Sequence, residues 1–203
     1  MALTLLHRYS AWIVNAFFKG AFQVRIHGLE NIPPVGGAIV AINHASYFDP
    51  PLVGGQILRV RPFKAIGKKE IFNVPILSGY LRSLGSIPVN RGQADHGAMR
   101  MTLEFLKSGE ILLMAPEGTR GTSGKPRTPK RGISFLAHHS GVPIIPTRIE
   151  GTAWPPKRGG MWVRFGKPLY FDASEIETLG VREAYQNFSQ RLMDHIYAMR
   201  EQA

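Results

Sequence analysis

With 203 residues, 44% of them hydrophobic and 19% charged, the chain suits one globular domain with a sizeable core; two full domains would be cramped. It has no cysteine, which excludes disulfide scaffolds, zinc-thiolate sites and cysteine nucleophiles. Lys and Arg number 25 against 14 Asp and Glu, and residues 1–171 hold 22 of those bases but only 8 of the acids. Such a body should seek an anionic partner: nucleic acid, an anionic membrane surface or a phosphorylated substrate.

The elements follow in chain order. Residues 2–19 have helical spacing, with Leu5, Tyr9, Trp12, Ala16 and Lys19 on one line and Leu6, Ile13, Phe17 and Gly20 on another. No acid precedes Glu30. A helix with bulky aromatics and only basic charge suits an anionic bilayer interface, and it also suits a core-packed first helix; the pattern leaves both open. Arg8, Asn15 and Lys19 interrupt the apolar run, so it reads neither as a span, which needs roughly 20 apolar residues, nor as a signal peptide. Alternation predicts a strand over residues 22–27, and Pro and Gly predict a turn over 31–37. A buried strand is expected over 38–42, a short helix over 50–58, a strand over 63–66, a short helix over 76–82 and a strand over 86–89. A helix over 94–107 is followed by Gly109 and a strand over 111–114. Residues 115–130 read as a loop, 133–139 as a helix, 142–149 and 161–165 as extended, and 182–200 as a closing amphipathic helix.

This alternation predicts an α/β fold: a single layered domain with a central mixed sheet flanked by helices, preceded by an N-terminal amphipathic helix. The expected division is a membrane-associating helix over residues 1–20 and one domain over 21–203.

The apolar stretch 38–42 ends abruptly at Asn43-His44. Polar groups at the carboxyl end of a buried strand lie where α/β folds place their sites. Histidine can act as a base near neutral pH without a large pKa shift, and such a base needs an orienting partner on its other ring nitrogen. Asp49 lies five positions on. Along one helix that spacing turns the side chains apart by about 140°, so the pair requires a turn between them. Asp49-Pro50 also reads as an N-cap followed by a first-turn proline, so Asp49 can cap a helix, orient His44, or do both. The sequence has no G-x-S-x-G elbow. With no cysteine either, a His–Asp pair suits direct attack by a substrate hydroxyl.

Arg91 and Arg120 each close a strand-to-loop junction, beside Gly92 and after Gly118, and guanidinium groups suit bidentate phosphate recognition. Lys125 and Arg127 read as a solvated basic loop. Gly118 to Lys125 has the wrong spacing for a nucleotide P-loop, and Pro126 stands where Ser or Thr is required. His138-His139 is adjacent rather than one helical turn apart and reads as structural, so no metal site is expected. Bases interleaved with aromatics and helix-turn-helix signatures are lacking, so a nucleic-acid-binding module is not expected despite the pI near 10.3.

Four segments in order resemble the glycerolipid acyltransferase family, of the 1-acyl-sn-glycerol-3-phosphate acyltransferase type. The motif N-H-x-S-x-x-D is matched by Asn43, His44, Ser46 and Asp49. A strand running into arginine is matched by residues 85–91. The motif F-P-E-G-T-R-S is matched by Pro116, Glu117, Gly118, Thr119 and Arg120, with Ala115 for Phe and Gly121 for Ser. A V-P-I-I-P-V-like run is matched by residues 142–147.

The resemblance implies that His44 is the general base, that Asp49 orients it, and that the acyl thioester is attacked directly. It implies that Arg91, Glu117, Gly118, Thr119 and Arg120 bind the glycerol-phosphate end, with Lys130 and Arg131 as weaker additions. Asn43, Ser46, Pro143 and Pro146 would shape the site. The implied donor is acyl-coenzyme A or acyl carrier protein, with no metal or tightly bound cofactor. The implied acceptor is lysophosphatidic acid; a lyso-ornithine lipid or lysophosphatidylglycerol is the alternative. The expected place is the cytoplasmic face of the cell membrane, bound peripherally.

Overall fold

Five consecutive apolar residues, Ala38 to Ile42, cannot lie with one face in water. All five are buried in the strand they form, and they sit at the centre of the fold. A computed structural model describes residues 5–89, 96–120, 127–153, 155–156 and 158–201. The chain runs α1 (Leu5–Phe22), β1 (Arg25–His27), β2 (Ala38–Ile42), α2 (Asp49–Ile57), β3 (Phe63–Lys68), α3 (Pro75–Ser83) and β4 (Ile87–Val89). It continues through α4 (His96–Lys107), β5 (Ile111–Met114), α5 (Gly132–Ser140), β6 (Ile144–Glu150), β7 (Trp162–Phe165), α6 (Ser174–Leu179) and α7 (Val181–Ala198).

The strands form one seven-stranded sheet in the order β1-β7-β6-β2-β5-β3-β4. Every neighbouring pair is parallel except β6 and β7, so the sheet is mixed, as expected. Alternate residues of β2 face opposite layers. Val40 and Ile42 pack with Ala11 and Phe18 of α1 and Leu52, Val53 and Ile57 of α2. Ile39 and Ala41 pack with Leu106 of α4, Leu136 of α5, and Leu192 and Ile196 of α7. Because β2, β5 and β6 are parallel neighbours, the loops that follow them leave the same edge of the sheet, and this is what assembles the site.

Two elements differ from expectation. Phe22 belongs to α1 rather than to a strand: its ring packs against Phe17, Phe18 and Phe48. The chain then breaks at Gln23, whose φ is 54°, and β1 is shortened to three residues. The alternation that suggested a strand was overridden by tertiary packing of the aromatic rings. The short helix α6 was not expected. Its signal is local: Asp172 Oδ1 accepts hydrogen bonds from the N–H and hydroxyl of Ser174, and Gly180 ends the helix.

Besides Ala11 and Phe18, the helix α1 docks through polar groups. His7 Nε2 meets Ser83 Oγ at 3.1 Å, Ser10 Oγ meets Tyr80 OH at 3.0 Å, and Asn15 Nδ2 donates to the Gly55 carbonyl at 3.0 Å. The crossing on α2 is close enough that a Cβ on Gly55 would lie 2.9 Å from Val14. The opposite face leaves Leu5, Leu6, Tyr9, Trp12, Ile13 and Phe17 exposed, Trp12 by 69%. Nearby α3 exposes Ile76 and Leu77. No helix among the described residues is long and apolar enough to cross a membrane.

Candidate active site

After Ile42 the chain leaves β2. Asn43 is buried and pairs with the backbone of Ile149, donating to its carbonyl at 2.9 Å and accepting from its N–H at 2.7 Å. This side chain continues the pairing of β2 with β6 for one more step and fixes where His44 emerges. A four-residue turn, 45–48, then reverses the chain into α2, which starts at Asp49 and is followed by two prolines compatible with a first turn.

The turn brings His44 Nδ1 to 2.9 Å from Asp49 Oδ2. The same oxygen accepts the backbone N–H groups of Ala45 and Ser46, both at 2.7 Å. Its partner, Oδ1, accepts the hydroxyl of Thr152 at 2.6 Å. Asp49 therefore does not cap the helix. It is the first helical residue, and its carboxylate folds back onto the turn before it. Asp49 is fully buried, and these four donors meet its need for hydrogen bonds. Since a carboxylate only accepts, His44 donates from Nδ1, and its Nε2 is left for another group. Ser46 closes the turn as well, with its Oγ accepting from Phe48 N at 3.2 Å.

The loop after β5 carries the second cluster. Glu117 is buried, and Oε1 accepts from Tyr197 OH of α7 at 2.8 Å, while Oε2 has no partner. Burial, then the hydrogen bond and negative charge of Glu117, push the Tyr197 phenol far above its ordinary range, so it stays a donor. Gly118 has φ +70°, and a Cβ there would meet Lys130 Cε at 2.9 Å; the glycine lets the Lys130 stem cross the loop. Thr119 Oγ1 accepts from Arg127 at 3.0 Å. Arg120 donates to Tyr47 OH at 2.7 Å and stacks on its ring at 3.6 Å. That contact joins the third motif to the turn between His44 and Asp49.

The other anticipated residues are placed as follows. Lys130 and Arg131 are exposed, Arg131 just before α5. Pro146 lies within β6 opposite Ala41. Pro143 precedes β6 and accepts from Ile39 N at the amino end of β2, the opposite end from His44, so the fold does not bring it to the site. Arg91 lies outside the described residues.

A recess beside His44 is lined by Asn43, Arg148, Glu150, Thr152 and Tyr197. Thr152, Arg148, Tyr197 and Tyr47 were not singled out from sequence. Their available signal was position: Arg148 directly follows the fourth motif in β6, Thr152 lies two residues past the end of that strand, and Tyr47 lies inside the first motif. Tyr197 offered none, because only the packing of α7 brings it here. Among the described residues no group of three or more His, Asp and Glu could hold a metal ion.

The fold agrees with comparison to known proteins. The family model described as Acyltransferase matches residues 23–150. This chain belongs to the acyltransferase family. It is 28% identical over 170 residues to the 1-acyl-sn-glycerol-3-phosphate acyltransferase of Bacillus subtilis (strain 168), covering 81% of this chain and 83% of that one. It is 29% identical over 161 residues to the enzyme of the same name from Pseudomonas aeruginosa, covering 78% of this chain and 60% of that one. The crystal structure of the 1-acyl-sn-glycerophosphate (LPA) acyltransferase PlsC from Thermotoga maritima superposes with a TM-score of 0.70. That match has 28% identity and covers 97% of this chain and 83% of the other. The enzyme thus combines an acyltransferase domain with a His–Asp pair, its aspartate buried and its histidine partly exposed, at the carboxyl edge of its sheet.

Proposed function

We propose that the enzyme is a 1-acyl-sn-glycerol-3-phosphate O-acyltransferase that makes phosphatidic acid from lysophosphatidic acid and an acyl thioester. The observation that carries this reading is the His44 Nδ1–Asp49 Oδ2 hydrogen bond of 2.9 Å, at the edge of a recess, in a turn whose Tyr47 contacts Arg120 of the third motif. His44 Nε2 takes the proton of the acceptor's free hydroxyl. The hydroxyl oxygen attacks the thioester carbonyl, the C–S bond breaks, and the imidazolium returns the proton to the departing thiolate. Asp49 holds the ring and balances the imidazolium charge. Thr152 and the two backbone N–H groups hold Asp49.

In this reading Arg120 and Arg91 attract the acceptor phosphate. A carboxylate repels phosphate, so Glu117 serves by what it anchors, while Gly118 and Thr119 shape the loop. The donor is acyl-coenzyme A or acyl carrier protein. Lipid substrates require a membrane surface, and the exposed face of α1 with Arg8 and Lys19 fits peripheral binding to the anionic cytoplasmic leaflet.

The test is turnover of lysophosphatidic acid with each donor by purified His44→Ala. Loss of about 10²–10⁴-fold is expected for a general base, with an unchanged melting profile. Near-normal turnover would sink the mechanism.

A further inference from the structure

The wall of the recess beside His44 carries a cation that the four motifs do not include. Arg148 is in β6, and its side chain retains only 15% exposure. The Tyr197 ring lies against its guanidinium, with Cζ 4.5 Å from the ring centroid, and the hydroxyl of that ring is tied to Glu117. One arginine nitrogen, Nη2, is paired with Glu150. The other two, Nε and Nη1, are buried without a hydrogen-bond partner. Charged donors out of water and unmet are costly. The surroundings add to the imbalance. The register of β6 and β7 places Arg148 directly opposite Arg164. Like charges facing across strands destabilise a sheet. The acid at Arg148, Glu150, has a side chain 49% exposed and can turn into water.

We propose that Arg148 is a phosphate-binding residue of the acceptor site, its guanidinium plane held by Tyr197 and Glu117, with Glu150 as the group the phosphate displaces. The planar fork of guanidinium matches two oxygens of a phosphate monoester. This rests on the acceptor named above, in which the reacting hydroxyl and the phosphate ester oxygen sit on neighbouring carbons. The phosphate must therefore lie close to the hydroxyl that His44 serves, and Arg148 lines the recess beside His44. The phosphates of an acyl-coenzyme A donor lie a pantetheine arm away from the thioester and do not meet this condition.

The experiment measures binding without turnover. Lysophosphatidic acid, the neutral monoacylglycerol of the same chain, and acyl-coenzyme A are each titrated alone into the full chain in mixed micelles. Arg148→Gln should weaken lysophosphatidic acid by tenfold or more, equivalent to about 1.4 kcal/mol, and change the other two by less than about twofold. Arg148→Lys keeps the charge and loses the fork, so it should fall between; it also supplies the answer if Arg148→Gln does not fold. Equal losses for phosphorylated and neutral lipid, a loss confined to acyl-coenzyme A, or unchanged affinity for lysophosphatidic acid in Arg148→Lys would each overturn the proposal. The readout is independent of His44: full turnover in His44→Ala would remove the general base and leave this result standing.

Discussion

Thr152 Oγ1 donates a 2.6 Å hydrogen bond to Asp49 Oδ1, joining residues 103 positions apart in the chain. Asp49 uses its other oxygen for His44, so the threonine sets the carboxylate plane from behind. Thr152→Val keeps the shape and removes the donor. The buried oxygen left without a partner should cost about 1–3 kcal/mol of stability. In the proposed reaction the tilted carboxylate should lower kcat on the order of tenfold to a hundredfold while KM for both substrates stays near normal. Thr152→Ser restores the hydroxyl and should recover most of kcat. Steady-state kinetics with a melting curve checks this: a stability loss in Thr152→Val with normal kcat would reduce the threonine to a packing residue.

The outward face of α1 gives a second expectation. Trp12 and Ile13 are 69% and 58% exposed, while Ala11 and Phe18 on the inward side are buried. Burying each large apolar side chain in an interface contributes about 1.5–3 kcal/mol. Trp12→Glu with Ile13→Glu should therefore abolish cosedimentation with anionic vesicles and leave the melting temperature nearly unchanged. Undiminished vesicle binding would remove α1 from the lipid contact.

The docking of α1 should depend on pH. His7 is buried against α3, with Ser83 and Tyr80 beside it, and burial lowers its pKa from 6.5. The released or unfolded chain therefore binds a proton at a higher pH than the docked one. Stability from this contact is full above about pH 6.5 and is lost as pH falls below it toward the docked value. His138, lowered by burial and by His139, acts in the same direction from α5. Melting temperature should fall between pH 7 and 5, and His7→Gln should fall less steeply. Identical slopes for the two proteins would assign the whole effect elsewhere.

Local pattern was enough for much of the fold. Ala38–Ile42 and Ile111–Met114 are strands with the boundaries their apolar runs suggest, and most helices lie within two residues of expectation. The exceptions have physical causes. Phe22 alternates like a strand residue but follows its ring into an aromatic cluster. Asp49 looks like an N-cap, yet its carboxylate finds four donors behind and beside it, none of them in the helix it begins. No local rule distinguishes those choices, because each depends on groups distant in sequence.

By itself the amino-acid sequence determined the α/β alternation, the absence of cysteine chemistry, the basic body, and the run from Asn43 to Asp49 that carries the family resemblance. All of these are properties of composition or of spacing within a few residues. Only the tertiary structure decided which oxygen of Asp49 meets His44, that Thr152 holds the other, and that Tyr197 joins Glu117 to Arg148. Those outcomes arise because β2 lies between β5 and β6. A sheet order is a long-range property, and it brings loops after residues 42, 114 and 150 to one edge.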